Sequence, residues 1–211
     1  MVLRNPAARS GILAWGDLTA LLAAGCLLAA ATTGLATPDA RFDWQPALAA
    51  SQPWRAFTAA LLHWSPQHLA MNLASLLLLA WLAHRANAGL RDTVAWGLAW
   101  PLTQLGLLAR PDLTHYAGLS GVVHAGAAVL AWRLLAQRQM RPRLIGALLA
   151  AGLVVKLLSE QPWAAAVQAV PGWDFALAPW AHLSGAVAGL CCAAVVSCWP
   201  DRPDTSTHTP T

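Results

Sequence analysis

The stretch Gly118–Gly126, GLSGVVHAG, sets Ser120 between two glycines and places His124 four residues after it. It begins an apolar run of about residues 116–136, long enough to cross a hydrocarbon core that needs about 20 residues of helix. A hydroxyl inside such a run is expected to face other protein or a water-filled cavity, because polar groups are costly in lipid. The stretch therefore predicts a membrane helix with one functional or packing face.

The composition extends this interpretation to the whole chain. Of the 211 residues, 57% are apolar and 10% are charged, whereas ordinary soluble domains are about 25% charged. Six segments are long and apolar enough for membrane helices: about 12–34, 67–84, 92–109, 116–136, 143–159 and 179–199. We therefore expect an all-α membrane protein with six transmembrane helices in one domain, residues 12–199.

The arginines predict the orientation of such a bundle. One set of connections holds Arg4, Arg9, Arg85, Arg91, Arg133, Arg138, Arg141, Arg143 and Arg202, and the other holds Arg41, Arg55 and Arg110. Positive residues accumulate in cytoplasmic loops, so residues 1–11 are expected to be a cytoplasmic N-terminus and residues 200–211 a disordered cytoplasmic tail. The compact chain is typical of a protein in the inner membrane of a Gram-negative bacterium.

Several classes of function have no support in the sequence. The net charge of +4 follows from the arginine-rich loops, so no nucleic-acid partner is expected. Neither metal-ligand spacing nor a glycine-rich phosphate loop occurs, and the four cysteines form no CxxC pair, so no metal and no cofactor are expected. The long connection of about residues 36–66 is expected at the membrane interface, where Trp44, Trp54 and Trp64 suit the headgroup region.

Polar residues inside the predicted spans share one depth. Ser120 begins the fourth span, His182 begins the sixth, and His68 with Asn72 begins the second. These three helices run in the same direction, from outside to inside, so all four side chains lie just below the outer surface. Each alone fits an ordinary packing role, since small and polar residues are common where membrane helices cross. Helix packing alone, however, does not require all four residues at one depth.

Acyl transfer is the chemistry that would use this set. A serine hydroxyl needs a base for its proton, and a tetrahedral oxyanion needs hydrogen-bond donors. Ser120 and His182 would form the first pair. His68 and Asn72, one turn apart, would donate to the oxyanion together with the Ser120 amide. His124 is an alternative base on the same helix as Ser120, and His182 is preferred because it comes from a separate helix.

We expect this pair to act without a carboxylate, because no acidic residue is predicted near His182 at this depth. The glycines beside Ser120 are expected to thin the helix there and let the sixth span approach closely.

Three motifs, in order, resemble the rhomboid intramembrane serine proteases. GLSG (118–121) and AHLSGAVAGL (181–190) resemble the catalytic helices of that family, and PWRAFTAALLHWSPQHLAMN (53–72) resembles its first loop and second helix. The resemblance covers roughly residues 50–200. It implies a rhomboid-like bundle in which Ser120 is the nucleophile and His182 the general base, His68 and Asn72 stabilise the oxyanion, and Gly118, Gly121 and His124 support the site.

Further details are similar to the rhombosortase branch, whose members process proteins with a C-terminal GlyGly-CTERM tail. His124 stands where many rhomboids have tyrosine or a small residue, and VVKLLSEQ (154–161) lies in the fifth span. Lys156 and Glu160 within it are spaced to pair, either as a plain helix-end ion pair or in a substrate role. The expected partners are the bilayer and membrane-anchored proteins with a C-terminal transmembrane tail.

Three other functions compete with this hypothesis. A general rhomboid protease would cut other single-span membrane proteins. A non-catalytic rhomboid-like binding protein would lack the serine or the histidine, and both are present. A transporter would place ion sites at the membrane midplane on interrupted helices, whereas the polar set here lies near one surface.

Overall fold

The computed structural model describes residues 6–35 and 37–199, with side chains from Ala14 onward. This part of the chain is helical and contains no β-strand beyond two isolated bridges. Its α-helices are α1 (Pro6–Thr33), α2 (Arg55–Thr58), α3 (Pro66–Ala86), α4 (Leu90–Leu105), α5 (Ser120–Leu135), α6 (Met140–Glu160) and α7 (Pro179–Ser197). The predicted tail, residues 200–211, and residues 1–5 of the predicted N-terminus lie outside the described residues.

Four described helices are long and apolar enough to cross a membrane: residues Ala14–Thr33 of α1, and α3, α6 and α7. The helices α4 and α5 have 16 residues each. At 1.5 Å per residue they are about 24 Å long, shorter than a hydrocarbon core of about 30 Å. The chain is therefore a multi-pass membrane protein, while the count of six spans stays a prediction.

Some helix boundaries differ from the sequence-based segments. The first helix begins at Pro6, ahead of the predicted start at residue 12. The segment 92–109 is helical to Leu105 and then continues as a 3-10 turn. The segment 116–136 becomes α-helical only at Ser120, because Gly118 adopts a φ of 144° that side-chain-bearing residues rarely reach. Ser120 is thus the first residue of its helix.

The ends of α3 follow from its own sequence. Pro66 occupies the first turn, where its missing N–H needs no partner. Ser65 caps the helix, since its Oγ accepts a hydrogen bond from the His68 N–H at 3.0 Å. Asn87 ends the helix in the left-handed conformation, with a φ of 50°. These signals hold His68 and Asn72 in the first two turns of α3.

The helix α5 lies at the centre of the bundle and packs against α3, α4, α6 and α7. The helix α1 packs against α3 and α4, where Trp15 stacks on Trp96 with ring centroids 4.5 Å apart. The Trp96 Nε1–H donates to the Val122 carbonyl at 2.8 Å, so this aromatic pair is also fixed to α5. Of α6, only Gly146 and Leu157 are buried, which leaves most of that helix facing outward.

The connection before α3 is more deeply packed than the sequence indicated. Trp44 has no exposed surface, so its predicted place at the membrane interface is wrong, although Trp54 is 49% exposed. Backbone hydrogen bonds of 2.8 and 2.9 Å join Trp44 to Tyr116 and draw this segment into the protein. The buried Arg55 donates to the Asp43 carbonyl at 2.7 Å and to its carboxylate at 3.2 Å. The segment is therefore a structural part of the domain.

Candidate active site

The first turns of α3, α5 and α7 meet at one end of the bundle and, together with two loops, line a cavity of about 390 Å³. Ser120, His182 and His68 border it, together with aromatic side chains such as Trp64 and Phe175. Ser120 is partly exposed, whereas both histidines are buried. The structure thus brings three of the four residues predicted at one depth to a single cavity.

Ser120 and His182 are directly hydrogen bonded. The Ser120 Oγ lies 2.9 Å from the His182 Nε2, within the 2.6–3.2 Å or so expected between a nucleophile and its base. The two residues are 62 positions apart in the chain and come from different helices. This contact is the arrangement that the sequence predicted for a base from a separate helix.

Glycines make this contact possible. A Cβ at Gly185 would lie 1.9 Å from the Gly121 carbonyl oxygen, and one at Gly121 would lie 2.8 Å from the Ala181 oxygen. The backbones of α5 and α7 therefore touch where Ser120 faces His182. Another glycine, Gly118, leaves room for His68, because a Cβ there would lie 2.9 Å from the His68 Nε2.

His68 presents its Nε2 toward the segment that precedes Ser120. Its Nδ1 accepts a long hydrogen bond of 3.4 Å from the Trp64 N–H, so Nε2 carries the proton in the neutral ring. The ring is held between Phe175, stacked at 4.0 Å, and His63, packed edge-on at 4.9 Å. His68 is therefore a fixed N–H donor at the cavity wall.

Asn72 lies one turn farther along α3 and does not border the cavity. Its side chain is buried, and its Nδ2 has no hydrogen-bond partner among the described residues. An unpaired buried amide is costly, so this N–H group is available to a ligand that reaches it. The backbone N–H of Ser120 is also available, because the first amides of a helix have no intrahelical acceptor.

His124 contacts the backbone of Ser120, whereas the Ser120 hydroxyl is hydrogen bonded to His182. Its Nδ1 lies 2.7 Å from the Ser120 carbonyl oxygen, to which it donates. Its ring stacks on His182 with centroids 4.2 Å apart and planes inclined by 11°. His124 thus stacks on the His182 ring, as the sequence indicated, and its supporting role stays a prediction.

The expectation that no carboxylate lies near His182 is wrong. The Glu160 Oε2 lies 2.7 Å from the His182 Nδ1, and the other carboxylate oxygen pairs with Lys156. Glu160 is the last residue of α6, which runs toward the same end of the bundle where α7 begins. The direction of α6 was the sequence signal that could have placed Glu160 at the depth of His182.

Two loops form the outer wall of the cavity, and Arg110 joins them. Its guanidinium donates to the carbonyls of Pro162 and Ala164 at 2.7 and 3.0 Å. It also binds Asp112 at 2.7 Å, and this hydrogen bond lowers the pKa of the exposed Asp112 carboxyl.

Sequence reasoning did not identify Phe175, which lies in the loop between α6 and α7, because its contact with His68 joins residues far apart in the chain.

Comparison with known protein families assigns the chain to one of them. The model of the rhomboid domain matches residues 50–199, a range that contains every residue of the cavity described above. The chain therefore belongs to the rhomboid family, whose proteases are intramembrane serine proteases that act on membrane proteins. Among curated proteins, none matches the chain significantly.

Proposed function

We propose that the protein is an active intramembrane serine endopeptidase in which Ser120 is the nucleophile and His182 the general base. The observation that carries the proposal is the 2.9 Å contact between the Ser120 Oγ and the His182 Nε2 beside a cavity. As Oγ attacks a peptide carbonyl, its proton passes to Nε2, and Nε2 later protonates the leaving amine. Rhomboid-like proteins without activity exist, but this chain has both groups within bonding distance.

The oxyanion of the tetrahedral intermediate is stabilised by His68, Asn72 and the Ser120 amide. Support for this role comes from the Nε2–H of His68 at the cavity wall and from the unpaired Nδ2 of Asn72. Donors held in place before the reaction lower the barrier, because they need no reorganisation as charge develops. Asn72 lies one turn farther along α3 than His68, so its N–H donates to an oxyanion that points toward the interior of the bundle.

The proposed topology has six spans, both termini in the cytoplasm and the cavity toward the periplasm of a bacterial inner membrane. The short helices α4 and α5 are then completed by the 3-10 turn after α4 and by the non-helical residues 116–119 before α5. The arginine distribution supports this orientation.

The proposed substrate is a GlyGly-CTERM-type sorting tail, as in rhombosortases. A nucleophile near the outer face needs a scissile bond at the outer end of a membrane segment. Two glycines unwind there at low cost, because glycine has poor helix propensity. Basic residues after the tail helix stay in the cytoplasm and hold the glycines at the depth of Ser120.

The test is co-expression of a reporter that ends in Gly-Gly, an apolar helix and basic residues. We expect cleavage at or near the glycines by the wild type and none by Ser120→Ala or His182→Ala, with the new terminus located by mass spectrometry. His124→Ala should keep partial activity, since its ring only supports His182. Loss of activity in His124→Ala with activity kept in His182→Ala would show that the base is misassigned.

A second reporter separates the two protease hypotheses. It carries an unrelated single membrane span without the two glycines. Serine-dependent cleavage of this reporter, with the Gly-Gly tail left intact, would identify a general rhomboid protease. Absence of serine-dependent cleavage of both, together with an unreactive Ser120, would favour a binding protein.

A further inference from the structure

The two ring nitrogens of His182 have different partners. Nε2 contacts the Ser120 hydroxyl at 2.9 Å, and Nδ1 contacts the Glu160 carboxylate at 2.7 Å. The side chains of His182 and Glu160 are 4% and 13% exposed, so water competes little for either bond. The three side chains come from α5, α7 and α6 and form one continuous hydrogen-bonded line.

This line fixes the tautomer of His182. A carboxylate accepts hydrogen bonds and donates none, so the proton of the neutral ring is on Nδ1 and points to Glu160. The lone pair of Nε2 is then directed at the Ser120 O–H. Without Glu160, either nitrogen could carry the proton, and one of the two forms cannot accept from Ser120.

Lys156 occupies the opposite side of the carboxylate. It pairs with the Glu160 Oε1 one turn back along α6, while Oε2 remains on His182. The ammonium group therefore offsets the cost of a carboxylate at membrane depth. The other titratable groups near His182 are His124, stacked on it from α5, and His68 across the cavity on α3. Tyr116, whose phenol is hydrogen bonded to the Ser120 side chain, borders the same cavity from the loops, as do His115 and Asp174.

We infer that Glu160 is a positioning residue that orients His182, with Lys156 holding its carboxylate in place. The inference rests on the proposed function. When the Ser120 Oγ bonds to the substrate carbonyl carbon, its proton moves to Nε2 and the ring becomes an imidazolium. Glu160 stabilises this cation and takes no proton. The Nε2 proton then goes to the departing amine as the C–N bond breaks.

The experiment measures labelling of Ser120 by a fluorophosphonate in the purified full-length protein, read by mass spectrometry. In this reaction an Oγ–P bond forms, fluoride leaves, and the hydroxyl proton passes to His182. The rate of labelling is recorded from about pH 5 to 9. It needs no natural substrate, and a thermal unfolding curve of each variant reports whether it is folded.

Glu160→Gln should label about 10²–10⁴-fold more slowly than the wild type, since the tautomer is no longer fixed. The acid limb of its pH profile should move to lower pH, because the negative charge that favours the imidazolium is gone. Lys156→Met should move the acid limb to higher pH, because it leaves that charge uncompensated. Glu160→Asp keeps the negative charge, so the acid limb of its profile should lie at the wild-type pH even if Ser120 is labelled slowly.

The matched control is Ser159→Ala, because the Ser159 hydroxyl is exposed and donates within its own helix to the Lys156 carbonyl. It should label at the wild-type rate with an unchanged profile. A Glu160→Gln variant that matches the wild type in rate and profile, while Ser120→Ala is unlabelled, would overturn this inference alone. Slow labelling of Glu160→Gln with an unshifted profile would mean a purely structural role for Glu160 and would also overturn the inference. A wild type not labelled at Ser120 would overturn the proposed function as well.

Discussion

At the scale of single residues, the proposed site contains one hydrogen-bonded pair and two separate N–H donors. Ser120 and His182 form the pair, and in the proposed mechanism the hydroxyl proton passes along their hydrogen bond. His68 is held by stacking on Phe175, and the buried Nδ2 of Asn72 has no partner in the part of the chain that the structure describes. A buried unpaired donor costs free energy unless a ligand satisfies it. Asn72 therefore provides the sharpest test of the oxyanion assignment.

Asn72→Ala should lower kcat by about 10²–10³-fold, the usual effect of removing one preorganised oxyanion donor. The KM should change little, because the donor acts mainly on the charged intermediate. Cleavage kinetics on the reporter tail measure both values. Ser75→Ala, which removes an exposed hydroxyl that donates within α3 to the Met71 carbonyl, should behave as the wild type. Wild-type kcat in Asn72→Ala would remove this residue from the mechanism.

At the scale of helices, the site depends on the close approach of α5 and α7. The contact runs along both helices, since a Cβ at Gly189 would lie 2.3 Å from the Ala125 carbonyl oxygen, much as at Gly185. Backbone atoms cannot move aside as flexible side chains do. A methyl group at this interface must therefore separate the helices and lengthen the distance from Ser120 to His182.

Gly185→Ala should destabilise the protein by about 1–3 kcal/mol, the usual cost of overpacking, and should reduce serine-dependent cleavage. Gly152→Ala is the matched control, because outside the local backbone of α6 no described atom lies within 4 Å of a Cβ at that position. It should leave activity unchanged and stability equal or higher, as alanine favours helix over glycine. Thermal unfolding in detergent and reporter cleavage measure the two effects. Equal stability of Gly185→Ala and Gly152→Ala would contradict the close-contact explanation.

At the scale of the whole molecule, the cavity is at one end of the bundle, and its proposed orientation follows from the arginine distribution. The loop between α6 and α7 lies at the cavity end, and the loop between α5 and α6 lies at the opposite end. In the proposed topology, reagents outside the cell reach the loop between α6 and α7 but not the loop between α5 and α6. The two loops therefore give a direct test.

The test uses a variant in which the four cysteines are replaced by alanine and one new cysteine is added. Ala165→Cys should react with a membrane-impermeant maleimide in spheroplasts, because residue 165 is exposed in the loop at the cavity end. Gln139→Cys, exposed at the opposite end, should react only after the membrane is opened. Labelling is measured by gel shift. The reverse pattern would place the cavity toward the cytoplasm.

Much of the site could be predicted from depth alone. Helices that run in the same direction bring their first turns to the same level, so Ser120, His182 and His68 could be grouped before any contact was known. The cost of polar groups in lipid made that grouping informative. The same reasoning would have included Glu160 if the last residue of the oppositely directed α6 had been considered. Depth alone could not give its distance of 2.7 Å from His182.

The sequence by itself determined the membrane class, the helical architecture and the polar set, because hydrophobic length and helix direction are local properties of the chain. Only the tertiary structure decided which polar groups touch. It placed Glu160 on His182, buried Trp44, and started α5 at Ser120. Each of these depends on a contact that the fold makes: Glu160 with His182, Trp44 with Tyr116, and Gly118 with His68. Those contacts join distant parts of the chain, so no local pattern specifies them.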